Sequence, residues 1–226
     1  MVFRSHIPRS IDFWTLFAWE HIPASGLVLL EVSLDVIVLN ILTMTKLQFR
    51  MLRYEVERIF SFNNERSEDF NLKMKRCNEH HTFLLGFRTM VNDTFSSLML
   101  IYMGVVILIL CIEMYLMMTM DTLADILGAA LYAAQMFFEF FVCYCFPAQD
   151  LSDEAELLSV TLYSNNWNLY PAYYKDMMLF LGKSRLEVIY SAGGLLKLNH
   201  QTGMSAVKTM VSYSMFLQTM TQLETT

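Results

Sequence analysis

The chain has 226 residues, 55% of them hydrophobic and 17% charged, and its mean hydropathy is +0.38. Soluble domains run nearer half apolar and about a quarter charged, so this composition places the chain in a membrane. A net charge of −6 with only 16 Lys and Arg leaves no excess of cation for phosphates, which excludes a nucleic-acid partner.

Eighteen Met, seventeen Phe and eleven Tyr against eight Gly and four Pro suit long helices rather than the short alternating strands of a barrel. The predicted fold is therefore all-α: a polytopic transmembrane protein with four spans and cytoplasmic helical extensions. Residues 1–21 precede the first span. That span runs from Ile22 to Thr45 and contains Glu31 and Asp35. The second, Phe95 to Ile112, reads FSSLMLIYMGVVILILCI and carries no charge, close to the roughly 20 residues needed to cross a hydrocarbon core. The third, Thr122 to Phe146, contains Asp125 and Glu139. The fourth, Met204 to Met220, is milder, with Lys208 near its start and Ser, Thr and Gln along it.

Lys and Arg gather on the cytoplasmic side of membrane helices. They crowd the connection 46–93, at Lys46, Arg50, Arg53, Arg58, Arg66, Lys73, Lys75, Arg76 and Arg88, and recur in 147–203 at Lys175, Lys183, Arg185 and Lys197. Both connections are expected inside, and residues 1–21 and the C-terminus outside. An outside N-terminus needs a signal, yet Met1 to Ala24 has no basic region followed by an apolar core and cleavage site. The expectation is the C-terminal portion of a longer receptor-like protein, or a truncated product.

The inner connections carry helical patterns of their own. Leu47, Met51, Leu52, Val56, Ile59 and Phe60 recur near helical spacing, so the first span continues as an amphipathic helix. A second helix starts near Phe70 and runs into the second span. In the third connection, Ser152 to Glu154 suit a helix N-terminus, and Asn165, Asn166 and Pro171 break the helix before another short one.

Several blocks together resemble the insect odorant receptor family. RCNEHHTFLLGF at Arg76 to Phe87 is similar to the segment leading into that family's fifth helix, and FVCYCFPAQDLSDEAELLSVTLYSNNW at Phe141 to Trp167 to its sixth-helix exit. AGGLLKLNHQTGMSAVKTMVSYSMFLQTM at Ala192 to Met220 resembles the seventh-helix region, and FRSHIPRSIDFWTLFAWEHIP at Phe3 to Pro23 the outer loop before the fourth. Thr161, where the family often has Ala, and Pro147 depart from the pattern. Nothing corresponds to helices one to three.

The resemblance implies that the four segments are helices four to seven of a tuning subunit. It also implies a heterotetramer with a co-receptor, an odorant-gated cation channel in the plasma membrane of olfactory sensory neurons, and a small volatile hydrophobic ligand, with membrane lipid around it. The seventh helix lines the family's pore, which makes Phe216, Thr219 and Met220, spaced by about one turn, the gate candidates; the other reading is that its polar residues pack helix against helix. The family's pocket among outer helix halves points to Leu27, Leu30, Glu31, Leu34, Leu127, Leu131 and Tyr132, residues that ordinary helix packing also explains. Its subunit anchor beneath the membrane falls on 147–203, with Tyr163, Trp167 and Tyr170; an intrasubunit core is the alternative. A non-conducting interaction subunit that joins receptor partners through this anchor is the rival function.

No enzyme is expected. There is no GxSxG, P-loop or Gly-rich dinucleotide turn, and Asp125 and Glu139 lie roughly 21 Å apart along one helix, too far to cooperate. No cofactor or metal is expected either. His80 and His81 lack an HExxH pattern, and Cys77, Cys111, Cys143 and Cys145 form no CxxC pair. Asn92, in Asn-Asp-Thr, is a formal glycosylation acceptor on the inner side, where it stays unmodified.

Overall fold

The computed structural model describes residues 13–61, 67–120, 122–167 and 170–224. Its elements in order are α1 (Phe13–Ser61), α2 (Ser67–Thr119), α3 (Leu123–Glu139), a π-helical turn (Phe140–Cys145), α4 (Phe146–Ser164), a 3-10 turn (Pro171–Tyr173), α5 (Tyr174–Ser184), β1 (Ser191–Ala192), β2 (Leu196–Lys197) and α6 (His200–Glu224). Two compact units divide within α1: Met1–Val38 and Leu39–Thr226.

In the first unit, α1 begins at Phe13, ahead of the apolar stretch that opens at Ile22, and continues through Pro23. Proline brings no N–H to the helix ladder. Nearby carbonyls find side-chain partners: Ser25 Oγ donates to Ile22 O at 2.9 Å, and the His21 ring lies 3.0 Å from Phe17 O and stacks on the Phe17 ring at 3.8 Å.

The second unit is built from three apolar stripes. Within it, α1 buries Leu42, Thr45, Phe49, Leu52, Val56 and Ile59, and α2 buries Phe70, Met74, Cys77, His81, Leu84, Val91, Met99, Met103, Val106 and Leu110. Steps of three and four, or of seven and eight in the middle of α2, keep each stripe on one face, so in α2 the amphipathic start and the apolar span are one helix. Complete burial of Phe49 or Phe70 contributes about 1.5–3 kcal/mol.

The third stripe runs Met136, Phe140, Tyr144, Ala148, three steps of four in succession. In a pure α-helix those steps would rotate the stripe by about 120°. The wider turn at Phe140–Cys145 absorbs the rotation. It also contains Cys143, the residue whose carbonyl a proline ring at Pro147 would strike in an α-helix. So α3 passes directly into α4, and the helix N-terminus expected at Ser152 to Glu154 does not exist; Glu154 is buried mid-helix. The expected break is present: α4 ends at Ser164, with Asn165 Nδ2 donating to Thr161 O at 2.7 Å.

Three helical rods, α1, α2 and α3 with α4, are long and apolar enough to cross a membrane. With 25 residues, α6 is about 37 Å long and can span by length, but its Ser, Thr and Gln keep it less apolar than the three.

Candidate functional site

The side of α6 that faces the protein is defined by Gly203, Met210 and Ser214. Gly203 lies so close to the π-helical turn that an added Cβ would stand 2.9 Å from the Phe141 ring and 3.1 Å from Cys145 Sγ. Away from this side, Ser205, Thr209, Ser212, Phe216 and Thr219 form an exposed seam, stepping by four and three, with Met220 exposed at its flank. Thr209 and Thr219 donate back to the helix carbonyls of Ser205 and Met215 at 3.0 and 2.9 Å. The three gate candidates are all exposed on α6, and the structure adds Ser205, Thr209 and Ser212 earlier on the same row, Ser205 and Thr209 also lining a cleft with Met103 and Ile107 of α2. The Gln218 side chain lies outside the described residues.

A hairpin holds the start of α6 against α2. Arg88, Asn92, Ser96 and Leu100 follow one another by four residues along α2, and each engages it. The Arg88 guanidinium donates to Ile189 O, Asn92 Oδ1 accepts from Ser191 N at 2.8 Å, and Ser96 Oγ donates to Ser191 O at 2.8 Å. Gly193 N donates to Ser96 O at 2.8 Å. Gly193 turns the hairpin at φ 61°, and a Cβ there would stand 2.5 Å from a Leu100 methyl, so only glycine fits. The i, i+4 row on α2 was readable in the sequence, but its partner was not. Asn92 is thereby a part-buried structural acceptor.

Beyond the apolar stretch of α1, Glu154 sits between two of its arginines, 2.9 Å from Arg53 and 3.4 Å from Arg50, and Lys46 pairs with Asp150 at 2.5 Å. The Glu154 hydrogen bond holds the Arg53 guanidinium further above its ordinary range. His81 is buried between Phe49 and Phe180, and burial pushes it down to about 4, so it serves as a neutral packing residue. Of the three anchor candidates, Tyr170 stacks on Phe70 at 3.8 Å, inside this chain's own core. Trp167 donates to Tyr163 O at 3.3 Å and is half-buried, whereas the Tyr163 ring is exposed.

The ligand candidates divide between the two units. In the first, Leu27 and Leu30 are exposed, Glu31 and Leu34 half-buried and Asp35 buried. In the second, Leu127, Leu131 and Tyr132 are exposed on α3. Glu139, read from sequence only as distant from Asp125, accepts from Tyr102 Oη at 2.5 Å. Among the described residues no group of three or more His, Cys, Asp or Glu is arranged to hold a metal.

The sequence profile of the 7tm odorant receptor family matches residues 1–211. The chain belongs to the 7tm odorant receptor family. Similar proteins include odorant receptor 85a of Drosophila melanogaster, 19% identical over 197 residues that make up 87% of this chain and 49% of the relative. Odorant receptor 22b of the same organism is 19% identical over 182 residues, 80% of this chain and 46% of the relative. The fold is shared with the insect olfactory receptor OR5 from Machilis hrabei in complex with eugenol, at a TM-score of 0.80 and 13% identity, covering 96% of this chain and 56% of that one. The same receptor in a second structure gives 0.76 over 90% of this chain and 52% of that one. This odorant receptor chain therefore spans about half the length of the relatives it matches. It is a multi-pass membrane protein of a receptor family, not of an enzyme family.

Proposed function

We propose that this odorant receptor chain is the pore-bearing part of an odorant-gated cation channel subunit that works with a co-receptor in the plasma membrane of olfactory sensory neurons. The observation that carries the reading is the α6 seam. Hydroxyls at Ser212 and Thr219 are exposed on the side of α6 opposite Met210 and Ser214, and those of Ser205 and Thr209 open onto a cleft shared with Met103 and Ile107 of α2, on a helix long enough to span. A polar row of that kind belongs against water or another protein rather than lipid. Phe216, between Ser212 and Thr219 on the row, with Met220 beside it, supplies an apolar constriction that closes by dewetting.

In this reading residues 1–21 and the C-terminus are outside, 46–93 and 147–203 are inside, and 204–226 line the pore. The ligand-binding candidates are Leu27, Leu30, Glu31 and Leu34 in the first unit and Leu127, Leu131 and Tyr132 in the second, and a small volatile ligand opens the channel by binding the open state more tightly. Tyr163 and Trp167 belong to the subunit anchor of 147–203; the Tyr163 ring is its exposed member. Tyr170 supports the anchor from within.

The test is current recording from cells that express the chain with the co-receptor, and from cells that express the longest product containing it. Odorant-evoked cation current in either supports the reading. In the conducting form, Phe216→Ser is expected to raise basal current several-fold, because a hydroxyl wets the constriction. Silence from both, with the protein at the cell surface, overturns it in favour of a non-conducting interaction subunit.

A further inference from the structure

A second concave site lies between the amphipathic extensions of α1 and α2, on the far side of His81 from the membrane spans. It is a groove of about 490 Å³. Glu55 and Arg58 reach it from α1, and Lys73, Arg76, Cys77 and His80 from α2. Three full positive charges and an imidazole thus converge on one space with a single carboxylate, on a chain whose net charge is −6.

These cations are not merely successive residues on one solvated face, because they come from two facing helices. Glu55 takes up one of them, pairing with Arg58 at 2.6 Å, and Lys73 is 3.8 Å from Asp69. Arg76 is exposed and has no carboxylate within ion-pair distance among the described residues. Leu52 and Cys77, both buried, make an apolar floor. Burial pushes the Cys77 thiol up to about 11, so it adds no negative charge. Cations around a low-dielectric floor concentrate field in the groove and attract a multiply charged anion.

We infer that this groove is a binding site for a polyphosphate anion, held by Arg58, Lys73 and Arg76 with His80. Arginine suits such a ligand because its planar fork matches phosphate oxygens two at a time. The phosphates could come from a soluble molecule or from a lipid headgroup. Arg58 lies about 20 Å along α1 from the end of the first apolar stretch at Thr45, and Arg76 about 28 Å along α2 from Phe95. That depth favours the soluble source.

The test uses the purified chain in nanodiscs of neutral lipid, with ATP and inositol hexakisphosphate as soluble probes and thermal unfolding and calorimetry as readouts. The expected result is saturable binding of at least one soluble probe, weakened about tenfold by Arg76→Gln and strengthened by Glu55→Gln, two opposite effects that loss of folding cannot mimic. Lys75→Gln, on the exposed side of α2 outside the groove, makes the same charge change and is expected to leave binding as it was. No saturable binding of either probe, or an equal loss with Lys75→Gln, overturns the site. Binding only to vesicles that carry a phosphorylated inositol lipid overturns the soluble assignment.

Discussion

The exposed faces of α2 and α6 make an instructive pair. On α2 one outward row at the level of the second span, Leu98, Ile101, Val105, Leu108 and Ile112, steps by three and four and is wholly aliphatic, with Ser97 and Gly104 exposed beside it. On α6 a row of the same rhythm holds Ser205, Thr209, Ser212, Phe216 and Thr219, flanked by exposed Met204, Lys208, Tyr213 and Met215. Equal spacing with different chemistry fits the proposal that the two helices meet different surroundings. The α2 row gains by meeting lipid, whereas on α6 Ser205 and Ser212 lose water if lipid covers them, the Thr209 and Thr219 hydroxyls being bonded to their own helix carbonyls. Hydropathy averages the two sides of a helix and rates α6 only as a weak span. Only the face-by-face distribution shows that one row of α6 is rich in hydroxyls where the matching row of α2 has none.

The largest effect expected from that contrast comes from placing a charge on each face. Leu108→Asp puts a carboxylate against hydrocarbon at a cost of about 2.5–3.5 kcal/mol, and is expected to abolish surface expression. Ser212→Asp is expected to leave expression near the parent level while altering cation current. Surface labelling with current recording checks both, and equal loss of expression would collapse the distinction between the faces.

A smaller effect is expected from the hairpin that joins the two helices. Gly193→Ala combines a left-handed backbone with a Cβ driven into Leu100, and is expected to destabilise the protein by roughly 1–3 kcal/mol. Leu100→Ala in the same chain is expected to restore part of that loss by removing the clash. Thermal unfolding of the single and double variants measures it.

The smallest effect is a pH dependence that reports inner packing and leaves the seam untouched. His81 is depressed to about 4 in the folded protein from an ordinary 6.5. The unfolded chain therefore takes up the proton first, so stability is constant above about pH 6.5 and falls as pH drops from there toward 4. Unfolding midpoints between pH 7.5 and 4.5 check the sign, and His81→Phe is expected to flatten that part of the curve.

Local chemistry made much of this protein legible before its fold. The charge-free run from Phe95 to Ile112, the helix through Leu47 to Phe60 and the break at Asn165 and Pro171 each correspond to an observed element, because helical spacing and proline act within a few residues, although Leu47 and Met51 of the expected stripe are exposed and Phe49 is buried instead. The Ser152 to Glu154 cap was misread for the same reason. Its residue types suit a helix start, but the buried stripe through Phe140 and Tyr144 carries the preceding helix straight past it. Glu154 then serves as the partner of Arg50 and Arg53, across a separation in sequence that no local pattern spans. The docking of Ser191 and Gly193 on Asn92 and Ser96 was hidden likewise.

By itself the sequence determined an all-helical membrane protein, its long rods, the concentration of basic residues in two connections and a resemblance to one receptor family. Each of these follows from composition or from spacing along one helix, where neighbours in sequence are neighbours in space. Only the tertiary structure decided which side of α6 is free, that Tyr170 is internal while Tyr163 is exposed, and that cations from two helices converge on one groove. Those facts depend on which faces the packing covers, and a face is covered by residues distant in sequence.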